Sequence, residues 1–149
     1  MRQLSRREVL ATGAGVVAVA ALGIETAQAA NNAQDLIKTF TGGKAATDGK
    51  VKLDLPEIAE NGNTVPMTVT VESPMTDASH VLEVLIVADG NPNGGVVTFH
   101  FTPASGVAEA NTRIRLAQTQ NIIAVAKMND GSFFTTVKQV KVTIGGCGG

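Results

Sequence analysis

Four apolar side chains alternate with proline and threonine in Val65-Pro66-Met67-Thr68-Val69-Thr70-Val71. A period of two is typical of a β-strand with one buried face, and the inner face of this strand is predicted to carry Val65, Met67, Val69 and Val71. Pro66 lacks a backbone N–H, so we expect the strand to start at a sheet edge or with its first residue outside the ladder. A strand of this kind requires a second layer that covers its apolar face.

Six further segments show the same alternation or a continuous apolar run, and turn residues separate them. They are Val51–Leu55, 80–88, 96–101, 111–117, 122–128 and Phe133–Ile144. Segment 80–88 is almost entirely apolar, which predicts a place near the middle of a sheet. Asp130-Gly131 predicts a two-residue hairpin with a type I′ turn. This series of short strands predicts an all-β fold, an antiparallel β-sandwich.

A single short helix is predicted before the first strand. Residues 33–40 (AQDLIKTF) place Leu36, Ile37 and Phe40 on one side, and two glycines end the pattern. We expect this helix to cap the sandwich or to pack on it.

In the last predicted strand, the inward positions are Val140, Val142 and Ile144.

The beginning of the chain has the features of an export signal. Three arginines make its start basic, and Ser5–Leu10 (SRREVL) resembles a twin-arginine signal. The apolar run at 11–24 is shorter than the roughly 20 residues that span a bilayer. Ala27-Gln28-Ala29 is a typical cleavage site. Residues 1–29 are therefore predicted to be a twin-arginine-type signal peptide, which places the mature protein in the periplasm.

The mature chain would have the length of one domain, 120 residues from Ala30 onward. Removal of three arginines and two glutamates from a chain of net charge −1 leaves a mature net charge of −2. No surface for nucleic acid or for an anionic membrane is predicted. A single cysteine cannot form an internal disulfide, so Val, Ile, Leu and Ala must supply the core. We expect the domain to span residues 30–144.

The chain ends in Gly145-Gly146-Cys147-Gly148-Gly149. Glycine leaves the backbone free and keeps bulk away from the sulfur, so the four glycines predict a flexible arm, residues 145–149, that presents one thiol. With a strand ending at Ile144, the thiol would reach roughly 10 Å beyond the domain. A prenylation signal is excluded, since it places its cysteine fourth from the end. A disulfide to another molecule and a frayed terminus without function stay open.

The sequence beside Cys147 contains nothing that activates a thiol. Helix N-termini, cations and metals do so, whereas the nearest basic residue in the sequence is Lys141. Such a cysteine would react in the cleft of another protein, which is the behaviour of a carrier and not of an enzyme. A single thiolate and two distant histidines do not supply the ligands of a metal site. No cofactor and no metal are expected.

Catalytic alternatives within the chain are weak. His80 and His100 are the only imidazoles, and the simpler interpretation of both is a surface position. A thiol enzyme with His100 as the base would need a preorganised pair of side chains, which a mobile arm does not provide. Arg113 and Arg115 share one strand face and could hold an anion, although a solvated face or a subunit contact is the simpler interpretation.

Several motifs resemble one family. The terminal GGCGG, together with GNPNGG at 90–95, FHFTPASG at 99–106, TRIRLAQTQ at 112–120 and DGSF at 130–133, is similar to SoxY proteins. These are the sulfur carrier subunits of the bacterial thiosulfate-oxidising system. The resemblance covers essentially the whole mature chain and implies an immunoglobulin-like sandwich. It also implies that Cys147 is the residue to which sulfur is attached, with Gly145, Gly146, Gly148 and Gly149 providing the flexibility of the arm.

The resemblance further implies several partners. SoxY proteins pair with a second small sandwich subunit, SoxZ, for which the outward residues Val96, Thr98 and His100 are candidate contacts. A c-type cytochrome couples thiosulfate to the cysteine, a hydrolase releases sulfate, and a sulfur dehydrogenase oxidises the remaining sulfur. The expected function is that of a periplasmic sulfur carrier. The alternative is an exported interaction module that Cys147 anchors to a partner by a disulfide.

Overall fold

The computed structural model describes residues 31–146. The predicted signal peptide at 1–29 lies outside the described residues, as do Cys147, Gly148 and Gly149 of the predicted arm. The structure therefore describes residues 31–144 of the predicted domain and the first two glycines of the predicted arm.

The described chain contains one α-helix, one short 3₁₀-helix and nine strands. The helices are α1 (Ala33–Thr41) and the 3₁₀ turn Pro103–Ser105. The strands are β1 (Thr47–Asp48), β2 (Val51–Asp54), β3 (Ile58–Ala59), β4 (Val65–Val71), β5 (Val81–Ala88), β6 (Gly95–His100), β7 (Ala108–Ile114), β8 (Gln120–Met128) and β9 (Phe133–Val142).

The strands form two sheets that face each other. The larger sheet has the order β1-β9-β8-β5-β6, with β3 also paired to β9, and the smaller sheet has the order β2-β4-β7. The long strands pair antiparallel. The predicted all-β sandwich is confirmed, and β5 lies inside its sheet as expected. The two-residue strands β1 and β3 run parallel to β9, and they are too short to carry a sequence period.

Strand β4 has the bounds that the sequence predicts, and its pairing shows how Pro66 is accommodated. Strand β7 pairs with β4 over its whole length. Strand β2 pairs only with the half from Thr68 to Val71. Pro66 therefore lies where β4 has one neighbour, which is a position that tolerates the missing donor.

The main core lies between the two sheets. The residues that alternate inward in β4 meet inward residues of β5, β8 and β9, and the most deeply buried of them are Val65, Met67, Val69, Val84, Ile86, Ile122 and Val140. Val142 at the end of β9 is half-buried. Ile144 was predicted to face inward, but it is 67% exposed because β9 ends at Val142 and the smaller sheet does not extend over it.

Helix α1 covers the outer face of the larger sheet. Leu36, Ile37 and Phe40 pack on a second apolar cluster that includes Val125 and Phe133, and the rings of Phe40 and Phe133 meet edge to face at 5.9 Å. Both faces of β5 and β8 are thus covered, which explains their continuous apolar sequences. The predicted packing role of the helix is confirmed.

The hairpin predicted at Asp130-Gly131 exists, but its turn is not type I′. A type I′ turn needs positive φ at two residues, whereas only Gly131 has positive φ here, at 82°. The Gly131 N–H donates to the Met128 carbonyl at 3.0 Å, so the loop is one residue longer than the predicted two-residue turn. The side-chain and backbone hydrogen bonds from Ser132 lower the pKa of Asp130 below its ordinary value.

Replacement of Phe133 by alanine tests the second cluster. Phe133 is buried between the sheet and α1, so Phe133→Ala should lower the free energy of unfolding by about 3 kcal/mol in chemical denaturation. The control is Val137→Ala on the same strand, since Val137 is 56% exposed and its loss should cost less than about 0.5 kcal/mol. Equal effects of the two substitutions would contradict the packing of the helix.

Candidate functional site

The C-terminal arm leaves the domain at the end of the sandwich where β9 stops. Three other segments lie at the same end: the turn at 61–63, the chain at 115–117 that follows β7, and the loop at 89–94 between β5 and β6. The structure thus brings the first two residues of the predicted arm into contact with segments that are distant in sequence.

Three backbone hydrogen bonds, each of 2.8 Å, hold the base of the arm. The Gly62 N–H donates to the Ile144 carbonyl, the Leu116 N–H donates to the Gly62 carbonyl, and the Gly146 N–H donates to the Leu116 carbonyl. We call this set of Gly62, Leu116, Ile144 and Gly146 the arm clasp. Because the clasp uses backbone groups only, it adds no charge to the base of the arm.

The arm clasp changes the interpretation of Gly145 and Gly146. The sequence assigned both residues to the flexible arm, but the structure holds Gly146 on the domain by a hydrogen bond. Part of the reason for glycine at these positions is close approach, because a Cβ atom on Gly145 would meet the Ala117 carbonyl oxygen and one on Gly146 would meet the Gly62 carbonyl oxygen. The prediction that Cys147, Gly148 and Gly149 carry the sulfur and the flexibility concerns residues outside the described range and stays a prediction.

A buried polar network supports the segment on which the clasp rests. Asn91 is 4% exposed; its side-chain amide donates to the Arg115 carbonyl at 2.9 Å and its side-chain oxygen accepts from the Ala117 N–H at 2.9 Å. The same oxygen accepts from Gln120 Nε2 at 2.8 Å. Asn91 thus fixes the backbone on both sides of Leu116.

The start of α1 completes this network. Asn31 Nδ2 donates to the carbonyls of Ala88 and Asn91 at 2.7 and 2.8 Å. The Gly94 N–H donates to Asn32 Oδ1 at 2.8 Å. These side chains tie the helix to the loop that carries Asn91. Sequence reasoning missed Asn91 and Gln120, since a polar residue in a loop gives no sign of burial, although both lie in the motifs GNPNGG and TRIRLAQTQ.

The two histidines lie away from the arm clasp. His100 is exposed, and its Nδ1 lies 3.1 Å from Glu83 Oε1. His100 pairs with Glu83 in the sheet. From Glu83, β5 runs on to Ala88 at the end of the sandwich where the arm clasp lies, so about 17 Å of strand separates the pair from that end. His80 precedes β5, and its Nδ1 lies 2.9 Å from the Thr76 carbonyl oxygen. Neither imidazole is placed as a base beside the arm.

Arg113 and Arg115 line an open cleft between the sheet edges β6 and β7. The cleft encloses about 350 Å³, and Asn91, Val97 and Ile114 are among its other lining residues. Both arginines are exposed. The sequence predicted that the two residues share one strand face, but only Arg113 lies in β7, because the strand ends at Ile114 and Arg115 directly follows it. The two arginines come together as lining residues of the cleft.

Metal-ligating side chains do not cluster in the part of the chain that the structure describes. Within residues 31–146, no group of three or more His, Cys, Asp or Glu side chains could hold a metal ion. Over the same residues, no helix is long and apolar enough to cross a membrane.

The sequence of this chain matches a known protein family. Residues 37–147 match the family described as sulfur oxidation protein SoxY. The chain belongs to the SoxY family. A solved structure of the sulfur carrier protein SoxY from Chlorobium limicola f thiosulfatophilum is 30% identical, with a TM-score of 0.63, and the alignment covers 74% of this chain and 96% of that chain. The resemblance drawn from the motifs is confirmed, and the family is one of sulfur carriers in sulfur oxidation.

Other solved structures share the fold at low identity. A superoxide reductase (neelaredoxin) from Ignicoccus hospitalis is 17% identical with a TM-score of 0.57, covering 63% of this chain and 80% of that chain. A superoxide reductase from Nanoarchaeum equitans is 12% identical with a TM-score of 0.55, covering 65% and 100% respectively. These similarities show a common sandwich only. Comparison with curated protein sequences gave no match.

The buried network predicts a stability cost for the loss of Asn91. Asn91→Ala removes an amide group that donates one hydrogen bond and an oxygen that accepts two. The Ala117 N–H and Gln120 Nε2 are left buried without this partner, so the free energy of unfolding should fall by about 3 kcal/mol. The control is Asn93→Ala in the same loop. Asn93 is exposed and accepts one bond from the Gly95 N–H, so its loss should cost below about 1 kcal/mol. Chemical denaturation measures both, and equal costs would contradict the network.

Proposed function

We propose that this SoxY-family protein is a periplasmic sulfur carrier that holds thiosulfate-derived intermediates covalently on Cys147. Two observations are the main support: the family match extends to residue 147, and Cys147 directly follows Gly146 in sequence, which a backbone hydrogen bond holds on the domain. The protein supplies a thiol and a rigid mount, and it is not itself an enzyme. Its sulfur adduct takes the place of a cofactor.

The proposed loading step joins two sulfur atoms. The sulfur of Cys147 and the outer sulfur of thiosulfate form an S–S bond, the thiol loses its proton, and two electrons pass one at a time to the haem groups of a c-type cytochrome. The product is a cysteine S-thiosulfonate. Hydrolysis by a separate enzyme then transfers the terminal sulfonate to water as sulfate and leaves a persulfide on Cys147, which a sulfur dehydrogenase oxidises further.

Features of the described residues support the proposal that partner enzymes, and not this chain, carry out the sulfur chemistry. The arm clasp presents neutral backbone groups, and the two histidines lie away from it. The exposed Arg115, next to Leu116 in sequence, lines the cleft between β6 and β7. A thiol without a nearby cation or metal is a weak nucleophile at neutral pH. Each enzyme would therefore activate the sulfur inside its own site. The second subunit is proposed to be a SoxZ-like sandwich protein, with the exposed residues Thr98 and His100 of edge strand β6 among its candidate contacts.

An intact mass spectrum tests the carrier function. Protein purified without reductant from cells grown on thiosulfate should carry added sulfane, sulfonate or thiosulfonate groups that map to Cys147 and disappear with reductant. Cys147→Ser should abolish every adduct and the ability to support thiosulfate oxidation, while the free energy of unfolding stays within about 0.5 kcal/mol. A spectrum with only free thiol and a disulfide-linked species would instead support the anchored interaction module.

Replacement of the arginine pair in the signal tests export. Arg6→Lys with Arg7→Lys should leave the protein in the cytoplasm, since a twin-arginine signal depends on both guanidinium groups. A SoxZ-like partner that lacks a signal of its own would stay there as well, if the two are exported as a folded pair. Cell fractionation and immunoblotting of both subunits give the result. Normal export of the doubly substituted chain would contradict the proposed route.

A further inference from the structure

Gly62 occupies a position that admits no side chain. Gly62 is buried, and a Cβ atom on it would lie 2.2 Å from the Leu116 carbonyl oxygen, 2.8 Å from the Gly146 nitrogen and 3.1 Å from the Ile144 carbonyl oxygen. All three contacts are backbone atoms of the arm clasp, so no side-chain rotation relieves them. A methyl group at this position and a closed clasp are therefore incompatible without backbone movement.

The arm contributes a matching restriction from its own side. A Cβ on Gly145 would lie 2.1 Å from the Ala117 carbonyl oxygen, and a Cβ on Gly146 would lie 2.8 Å from the Gly62 carbonyl oxygen. None of these three glycines has a positive φ, so an unusual backbone conformation does not require them. Glycine is required at these positions because segments of the backbone approach each other closely.

The turn that carries Gly62 is preformed. Asn61 Oδ1 accepts a hydrogen bond from the Asn63 N–H at 3.0 Å, which is the side-chain turn that asparagine favours. Beyond the turn, Val65 begins β4 in the core. On the other side, Asn91 fixes the backbone around Leu116. The arm is thus held between two supports that belong to the rigid domain.

We propose that Gly62 is a positioning residue for Cys147, because it closes the arm clasp and so sets the point at which the carrier arm leaves the domain. While the clasp is closed, the arm is free only beyond Gly146, which the Leu116 carbonyl holds on the domain. Opening the clasp would release Gly145 and Gly146 and extend the reach of the thiol by about 7 Å. The inference rests on the proposed carrier function and adds a control of reach to it.

Amide hydrogen exchange measured by NMR tests the clasp in the full mature chain. In the wild type, the amides of Leu116 and Gly146 should be protected. Gly62→Ala should raise their exchange rates at least tenfold more than it raises the rate at Val125 in the core. The matched control is Gly131→Ala, a strained substitution in the β8–β9 turn at the opposite end of the sandwich, which should leave the ratio of these rates unchanged. An unprotected Gly146 in the wild type, or equal ratios in the two variants, would overturn the proposal.

A nitroxide label on Cys147 reports the consequence for the arm. Cys147 is the only cysteine, so the label attaches there alone. Its electron paramagnetic resonance spectrum should show greater mobility in Gly62→Ala than in the wild type or in Gly131→Ala. Gly145→Ala is the second variant: its clash lies in the arm itself, so it should free the label without unfolding the core, even if Gly62→Ala folds poorly. Unchanged mobility in Gly145→Ala would overturn the proposal.

These measurements test the positioning role of Gly62 separately from the carrier function. Exchange and label mobility involve no sulfur chemistry, whereas the adducts seen by mass spectrometry do not depend on the clasp. Adducts on wild-type Cys147 combined with an unprotected Gly146 would reject the positioning role and retain the carrier. A protected Gly146 in a protein that never carries sulfur would reject the carrier, and with it the assignment of Gly62 to sulfur transfer.

Discussion

The structure depends on the burial of β5 and β8 from both sides. One face of each strand lies in the core between the sheets, and the other lies under helix α1. Because β9 pairs with β8 over eight residues, the strand that leads to the arm is fixed to the most protected part of the molecule. The short strands β1 and β3 brace β9 on its other side. A chain without disulfides thereby obtains a firm base for its C-terminus.

The base of the arm is reached from this core by a chain of hydrogen bonds. Asn31, beside the start of α1, bonds the loop of Asn91, and Asn91 bonds the backbone around Leu116, which in turn accepts the Gly146 N–H. Polar groups buried in this way specify one arrangement, because each would be costly to leave unpaired. The position of Gly146 is consequently set by the fold and not by the arm alone.

The strands could be predicted from the sequence, whereas the contacts that shape the site could not. The alternation in Val65–Val71 indicates a strand with one buried face, and the continuous apolar run of β5 indicates a strand with two buried faces. Both can be recognised in the sequence because burial selects an apolar side chain at each position separately. The roles of Gly62 and Asn91 depend on neighbours more than twenty positions away in sequence. A glycine beside Cys147 looks the same in sequence whether it confers freedom or close approach, and at Gly145 and Gly146 the structure shows the second. The role proposed for Cys147 came from sequence reasoning alone, because it rests on the thiol and its flanking glycines and not on contacts within the fold.

The sandwich does not by itself determine the function, since superoxide reductases share it at 12–17% identity. The proposed function of this chain uses its one cysteine, which directly follows Gly146 of the arm clasp in sequence. An enzyme gains from holding its reactive group in a preorganised pocket, but a carrier must offer the same sulfur to several sites in turn. On the proposed function, a narrow base built from glycine and backbone groups would meet this need, because it adds little bulk beside the arm. The glycines on both sides of the clasp thus serve one requirement, a narrow and defined exit of the arm.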